Sequence, residues 1–153
     1  MIIREATLDD CEAVARLGAE FIGKLKMPRV GYVDAVKLEA SFQAIHTNPN
    51  GVMLVAEADS EVVGFLGGVA VPLWFDALDW TAAELAWWID PEHRGGSTAA
   101  RLVRAFEQWA KDRGLARVVL SDVEFEDAAQ PAGALIERLG YTMTERAFVK
   151  AIT

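Results

Sequence analysis

The stretch Trp87-Trp88-Ile89-Asp90-Pro91-Glu92-His93-Arg94-Gly95-Gly96-Ser97-Thr98-Ala99-Ala100-Arg101-Leu102 constrains the fold more than any other part of the chain. An apolar strand ends at Asp90-Pro91, and small residues lead straight into an amphipathic helix predicted over Ser97–Arg113. Leu102, Val103, Phe106, Trp109 and Ala110 share one face of that helix, and Gly114 supplies its stop. A further strand at Val118–Ser121 makes this a βαβ unit, whose crossover is right-handed. Gly95 and Gly96, followed by Ser97, Thr98 and Ala99, let the backbone come close to a ligand. The unpaired N–H groups of a first helical turn point at whatever sits there, and the helix dipole favours an anion. The segment is a phosphate or pyrophosphate cradle, or else only a tight turn. Neither the Gly-x-Gly-x-x-Gly dinucleotide fingerprint nor the P-loop spacing is present.

The rest of the chain supplies layers around that unit. Ile2–Ala6 reads as a short strand, and Thr7 with Asp10 marks a helix start carrying Val14, Leu17, Gly18 and Phe21 on one face. Asp34 caps a second helix whose buried stripe is Leu38, Phe42 and Ile45, broken by Asn48-Pro49-Asn50-Gly51. Val52–Ala58 and Val62–Val71 are β-rich runs joined by a hairpin turn at Asp59-Ser60-Glu61. Pro72–Thr81 reads as a loop and Leu85–Ile89 as the next strand. Ala132–Leu139 reads as a short helix stopped by Gly140, and Tyr141–Ile152 as a closing strand or hairpin. The expected order is β-α-α-β-β-β-α-β-α-β, a mixed α+β domain spanning residues 1–153.

Composition narrows the function classes. A chain of 153 residues, 52% hydrophobic and 25% charged, is globular and long enough to fold around one core. A net charge of −8 argues against a nucleic-acid partner, which clustered Lys and Arg would hold, and mildly favours cationic ligands. No apolar run approaches the ~20 residues that cross a bilayer, and the N-terminus lacks a signal-peptide pattern. Cys11 is the only cysteine, so an internal disulfide and a cysteine zinc site are ruled out, and a reducing, cytoplasmic setting is expected. Two histidines, His46 and His93, without an acidic cluster beside them give no metal site.

Asp90–Ala99 resembles the acetyl-CoA motif of GCN5-related N-acetyltransferases (GNAT), Arg/Gln-x-x-Gly-x-Gly/Ala, with Arg94 first, Ala99 last and Ser97 at a glycine position. The Ile3-Arg4-x-Ala6-Thr7-x-x-Asp10 opening, Val63-Gly64-Phe65 and the Leu139-Gly140-Tyr141 ending resemble the family in the same order. Arg94-Gly95-Gly96-Ser97 is also similar to a variant among phage-associated members. The resemblance implies a twisted central mixed sheet of about six to seven strands flanked by about four helices. It implies acetyl-CoA as cosubstrate and no metal. The pyrophosphate would lie on Arg94, Gly95, Gly96, Ser97, Thr98 and Ala99, and the pantetheine arm against the backbones of Trp87 and Ile89. It also places a general base at Glu84. Where many family enzymes carry a tyrosine general acid, this chain has Ile136.

The expected activity is direct acetyl transfer to a primary amine of a small molecule or protein, since one lone cysteine disfavours an acyl-cysteine intermediate. Trp74 and Trp80, set among Asp76 and Asp79, can enclose a cation or pack in the core. Asp122, Glu124, Glu126 and Asp127 form an acidic run that reads first as solvated loop and second as acceptor attraction. Two other readings stay open. One is a CoA-binding module without catalysis, motivated by Ile136; the other is an assembly protein using its tryptophan-rich loop. A homodimer is open as well.

Overall fold

A computed structural model describes residues 1–27, 33–125 and 132–152. The described elements run β1 (Ile2–Glu5), α1 (Cys11–Lys24), α2 (Ala35–Thr47), β2 (Gly51–Ala58), β3 (Glu61–Leu73), β4 (Asp76–Ile89), α3 (Thr98–Asp112), β5 (Val118–Val119) and α4 (Gly133–Arg138). Short 3-10 turns at Leu8–Asp10 and Pro91–His93 precede α1 and α3. The strands form one sheet in the order β1-β2-β3-β4-β5. Pairing is antiparallel from β1 through β4, and β4 pairs with β5 in parallel across the α3 crossover.

The strands alternate between two cores. Leu54, Val63 and Leu66 join Leu102, Val103 and Phe106 of α3 on one face. Val55, Val62 and Phe65 join Val14 and Leu17 of α1 and Phe42 of α2 on the other. Both faces of the sheet are covered, so its central strands read as nearly continuous apolar runs. Trp87 and Trp88 divide the same way, Trp87 toward α3 and Trp88 toward α1. At the sheet's outer corner Arg4 bridges Asp10 and Glu57, each at 2.7 Å. The Asp10 carboxyl, held chiefly by Arg4, drops to about 2. The same carboxylate accepts from the Thr7 N–H and hydroxyl, which ties β1 to the start of α1. Asp34 caps α2 as expected, accepting from the Val36 and Lys37 N–H groups.

Two expectations need correction. Pro72–Thr81 is not a loop: β4 begins at Asp76, and its first residues pair with β3 through Pro72↔Trp80 and Val71↔Thr81. Cross-strand pairing outweighs the Pro and Asp residues that suggested irregular chain. The sheet has five strands among the described residues and not six to seven. Tyr141–Ile152 carries no strand pairing there, and nearly all of it is exposed.

Candidate functional site

The site starts from an irregularity in β4. Its pairing with β3 slips between Gly67↔Ala86 and Gly68↔Glu84, which leaves Leu85 as an extra residue, half exposed. The bulge reverses the hydrogen-bonding phase of the strand. Before it, the Ala82 N–H donates to the Arg117 carbonyl on the β5 side. After it, the Asp90 N–H donates to the Val63 carbonyl on the β3 side. With period two, Trp87 and Ile89 turn their N–H and C=O groups away from β3, toward the β5 side. There β5 has already stopped pairing, because the parallel register ends at Ala83↔Val119 while β4 continues to Ile89. The two strands part, and the backbones of Trp87 and Ile89 line the exposed side of the split.

Glu84 stands where the strands separate. Its Oε2 accepts from the Ser121 N–H at 3.0 Å, so a side chain replaces the next strand-to-strand bond. Burial pushes the Glu84 carboxyl up to about 7, against the opposing hydrogen bonds from Ser121. A group with that value exchanges protons near neutral pH.

The cradle follows β4 directly. Asp90 caps the Pro91–His93 turn by accepting from the Glu92 N–H at 2.9 Å. Arg94 folds back: its Nε donates to the Ile89 carbonyl at 2.8 Å and its guanidinium lies 4.1 Å over the Trp88 ring. Partial burial lowers the Arg94 pKa, opposed by the Asp90 and Glu20 carboxylates. The Arg94 side chain therefore fastens the loop to β4, and backbone groups are left to meet a ligand. Gly95 has φ +87°, a conformation that favours glycine. Around Gly95 and Gly96, an added Cβ would meet nothing within 4 Å. The first backbone bond of α3 runs from the Arg101 N–H to the Ser97 carbonyl. The N–H groups of Ser97, Thr98, Ala99 and Ala100 thus have no acceptor within the helix. They can hold an anion.

The structure brings Glu84, Trp87, Ile89 and Arg94–Ala99 onto one continuous strand–loop–helix path. Trp74 and Trp80 lie elsewhere. Trp74 is 93% exposed at the β3–β4 hairpin tip, and Asp76 to Glu84 along β4 spans about 26 Å at ~3.3 Å per residue. Trp80 pairs with Pro72 and packs beside the α3 core. Ile136 is buried in α4. The His93 Nδ1 lies 4.0 Å from Asp90 and has no hydrogen-bond partner among the described residues. In the acidic run, Asp122 is exposed, Glu124 pairs with Lys26 at 3.3 Å, and Glu126 and Asp127 lie outside the described residues. Sequence reasoning missed Ser121, whose role is a backbone N–H that no residue type announces. It also missed the Leu85 bulge, for which the Gly67-Gly68 pair opposite was the available signal.

Known proteins share this chain's family and fold. The family model described as the acetyltransferase (GNAT) family matches residues 19–141. The chain is 30% identical over 151 residues to an aminoglycoside N(6')-acetyltransferase type 1 from Stenotrophomonas maltophilia, covering 94% of this chain and 88% of that protein. A ribosomal-protein-alanine N-acetyltransferase from Brucella melitensis biovar Abortus 2308 superposes with a TM-score of 0.75 at 20% identity, covering 99% of both chains. The aminoglycoside N-acetyltransferase AAC(6')-Iy in complex with CoA superposes with a TM-score of 0.74 at 18% identity, again over 99% of both. A family match across most of the sequence, on a five-stranded sheet whose β4 and β5 part, places this chain in the GNAT acetyltransferase family.

Proposed function

We propose that this chain transfers an acetyl group from acetyl-CoA directly to a primary amine, with Glu84 as the general base. The observation that carries the reading is the Glu84 carboxyl at the fork of β4 and β5, with a value of about 7, on the same path as the anion cradle. The pyrophosphate of CoA fits the N–H groups of Ser97, Thr98 and Ala99 and the open backbone at Gly95 and Gly96. The pantetheine arm fits the edge of β4 at Trp87 and Ile89 that β5 does not reach, although the Ile89 carbonyl there already accepts from Arg94 Nε.

An alkylamine with a pKa near ~10 is protonated at neutral pH and must lose a proton before it attacks. Ionised Glu84 takes that proton, directly or through one water. The amine nitrogen then forms a bond to the thioester carbon, the carbon–sulfur bond breaks, the nitrogen gives up its second proton to water as the amide forms, and the thiolate takes a proton to become the CoA thiol. Ile136 can supply none, so this reading leaves that proton to water. Cys11 is buried, and burial pushes its thiol up, which supports direct transfer over an acyl-cysteine intermediate.

An aminated sugar is the acceptor class to try first, because the 30% identical relative is an aminoglycoside acetyltransferase. The chain's net charge of −8 suits a polycationic acceptor. Two measurements test the proposal together. Acetyl-CoA at millimolar concentration should raise the melting temperature while ATP and NAD do not. Free CoA thiol should then appear in step with consumption of an amine from a panel of aminoglycosides, polyamines and N-terminal peptides. Binding without turnover on any amine would favour a CoA-binding module, and no binding would overturn the reading.

A further inference from the structure

The hairpin that joins β3 to β4 runs past both of its neighbours. β2 pairs along β3 only as far as Val69, and β5 pairs with β4 only from Ala82 onward. Beyond those points the ladder is irregular: Pro72 pairs with Trp80 and Leu73 with Asp76, which leaves Ala77, Leu78 and Asp79 outside it. The Asp76 carboxylate accepts from the Leu78 N–H at 3.0 Å and shapes this bulge. It pairs with no cation among the described residues. Trp74 and Phe75 form the turn, their rings edge to face with centroids 5.2 Å apart. Trp74 is 93% exposed, Phe75 67% and Leu78 94%. Three large apolar side chains stand together in water beside an unpaired acid, and a patch of this kind marks an interaction surface.

A matching surface lies next to the tip, at the same end of the sheet. Arg117 joins the two: its guanidinium pairs with Asp79 at 2.6 Å, and its carbonyl accepts from the Ala82 N–H and the Thr81 hydroxyl. Between Arg117 and the end of α3 opens a hollow of about 340 Å³, walled by Lys111, Leu115, Leu139 and Tyr141. That volume falls in the ~300–1,000 Å³ range of small-molecule pockets, so a single indole fits it. The Tyr141 hydroxyl donates to Glu107 at 2.9 Å, which engages the one carboxylate of the lining. Lys111 and Arg117, both exposed, leave the rim cationic. The tip is aromatic and acidic, and the hollow is apolar and basic.

We infer that the β3–β4 tip of one copy seats in the hollow of a second copy, and the reverse, around a two-fold axis. Trp74 enters the hollow, and Asp76 faces the partner's Lys111. Trp74 does not fill the hollow of its own chain, since it is 93% exposed there. A two-fold interface needs one patch that carries both halves of the contact, and a tip lying beside a hollow is such a patch. A standard interface takes about 800 Å² from each partner. Each buried aromatic ring brings roughly 150–250 Å², so Trp74 and Phe75 together with Leu78 supply a large part of that share. Cations at the rim of the hollow add attraction to the indole face. The contact lies at the end of α3 away from the cradle, and the inference stands apart from the catalytic reading.

Light scattering on the full chain should give about twice the 16.7 kDa chain mass. Trp74→Asp and Leu78→Asp should each halve it. Both side chains stand in water within one copy, so neither change disturbs the domain's own fold, and circular dichroism checks that point. Lys111→Glu should shift the mass toward that of one chain by placing like charges opposite each other. For the seating itself, Trp74→Cys and Lys111→Cys chains are mixed and treated with a short bis-maleimide. A cross-linked species of two chains that needs both variants is expected; Cys11 is buried and stays out of the reaction. A monomeric wild type overturns the inference. So does a dimer that Trp74→Asp and Leu78→Asp leave whole, or a cross-link that forms no faster in the mixture than in either variant alone.

Discussion

The Ser121 N–H donates to Glu84 Oε2 at 3.0 Å across the point where β4 and β5 part. Past Ala83↔Val119 no ladder bond joins the two strands among the described residues, and this contact follows where the pairing ends. It keeps one carboxylate oxygen directed at β5 while burial raises the group's affinity for a proton. The Glu84 carboxylate and the fork are therefore parts of the same construction.

Glu84→Gln should leave CoA affinity unchanged and lower turnover by roughly 10²–10⁴-fold near neutral pH. In the wild type, kcat/KM should fall about tenfold per unit below pH 7, where Glu84 becomes protonated. The gap between variant and wild type should narrow as pH rises, since more of the amine is then already neutral. A variant whose rate matches wild type across the pH range removes Glu84 from the mechanism.

The same substitution has an opposite effect on stability. The folded-state value of Glu84 is raised from an ordinary 4.5 to about 7, so the fold favours the neutral acid. Its stabilising contribution is complete below pH 4.5 and is lost as pH rises through 7. Glu84→Gln should equal wild type in stability at pH 4.5 and exceed it at pH 8 by up to about 3 kcal/mol, read as a higher melting temperature. Equal melting temperatures at pH 8 would show that the carboxylate is well solvated.

Gly96→Val should abolish most of the CoA-induced rise in melting temperature and leave the ligand-free value nearly unchanged. An added Cβ at Gly96 meets nothing within 4 Å, and its φ lies outside the left-handed region, so only a ligand would feel the branched side chain. Gly95→Ala differs, because φ of +87° strains an alanine, and it should cost about 1 kcal/mol without ligand. Normal CoA binding by Gly96→Val would move the pyrophosphate site elsewhere.

Arg94→Ala should lower stability by roughly 1–3 kcal/mol through loss of the bond to the Ile89 carbonyl and of the stacking on Trp88. Arg94→Lys should recover little, because an ammonium cannot make both contacts in that planar geometry. Chemical denaturation followed by tryptophan fluorescence reads both variants. Full rescue by lysine would reduce Arg94 to a simple surface charge.

Much of this architecture was legible in the residue pattern. The helical stripe from Leu102 to Ala110, the Asp34 cap and the opposed faces of Trp87 and Trp88 follow from local periodicity and local hydrogen bonding, which a sequence carries directly. The glycine turn that opens α3 was legible for the same reason, since glycines before a helix act within a few residues of chain. Cross-strand events were not. Whether Pro72–Thr81 is loop or ribbon depends on a partner strand bonding to it. The Leu85 bulge exists only as a mismatch between two strands, yet it turns Trp87 and Ile89 toward the fork. The raised affinity of Glu84 for a proton comes from burial and from a backbone N–H 37 residues away in sequence. The sequence by itself determined the order of elements as far as α4 and the glycine turn that leads into α3. Only the tertiary structure decided how the strands part and what proton chemistry stands at the fork, because register and desolvation are properties of the assembled sheet.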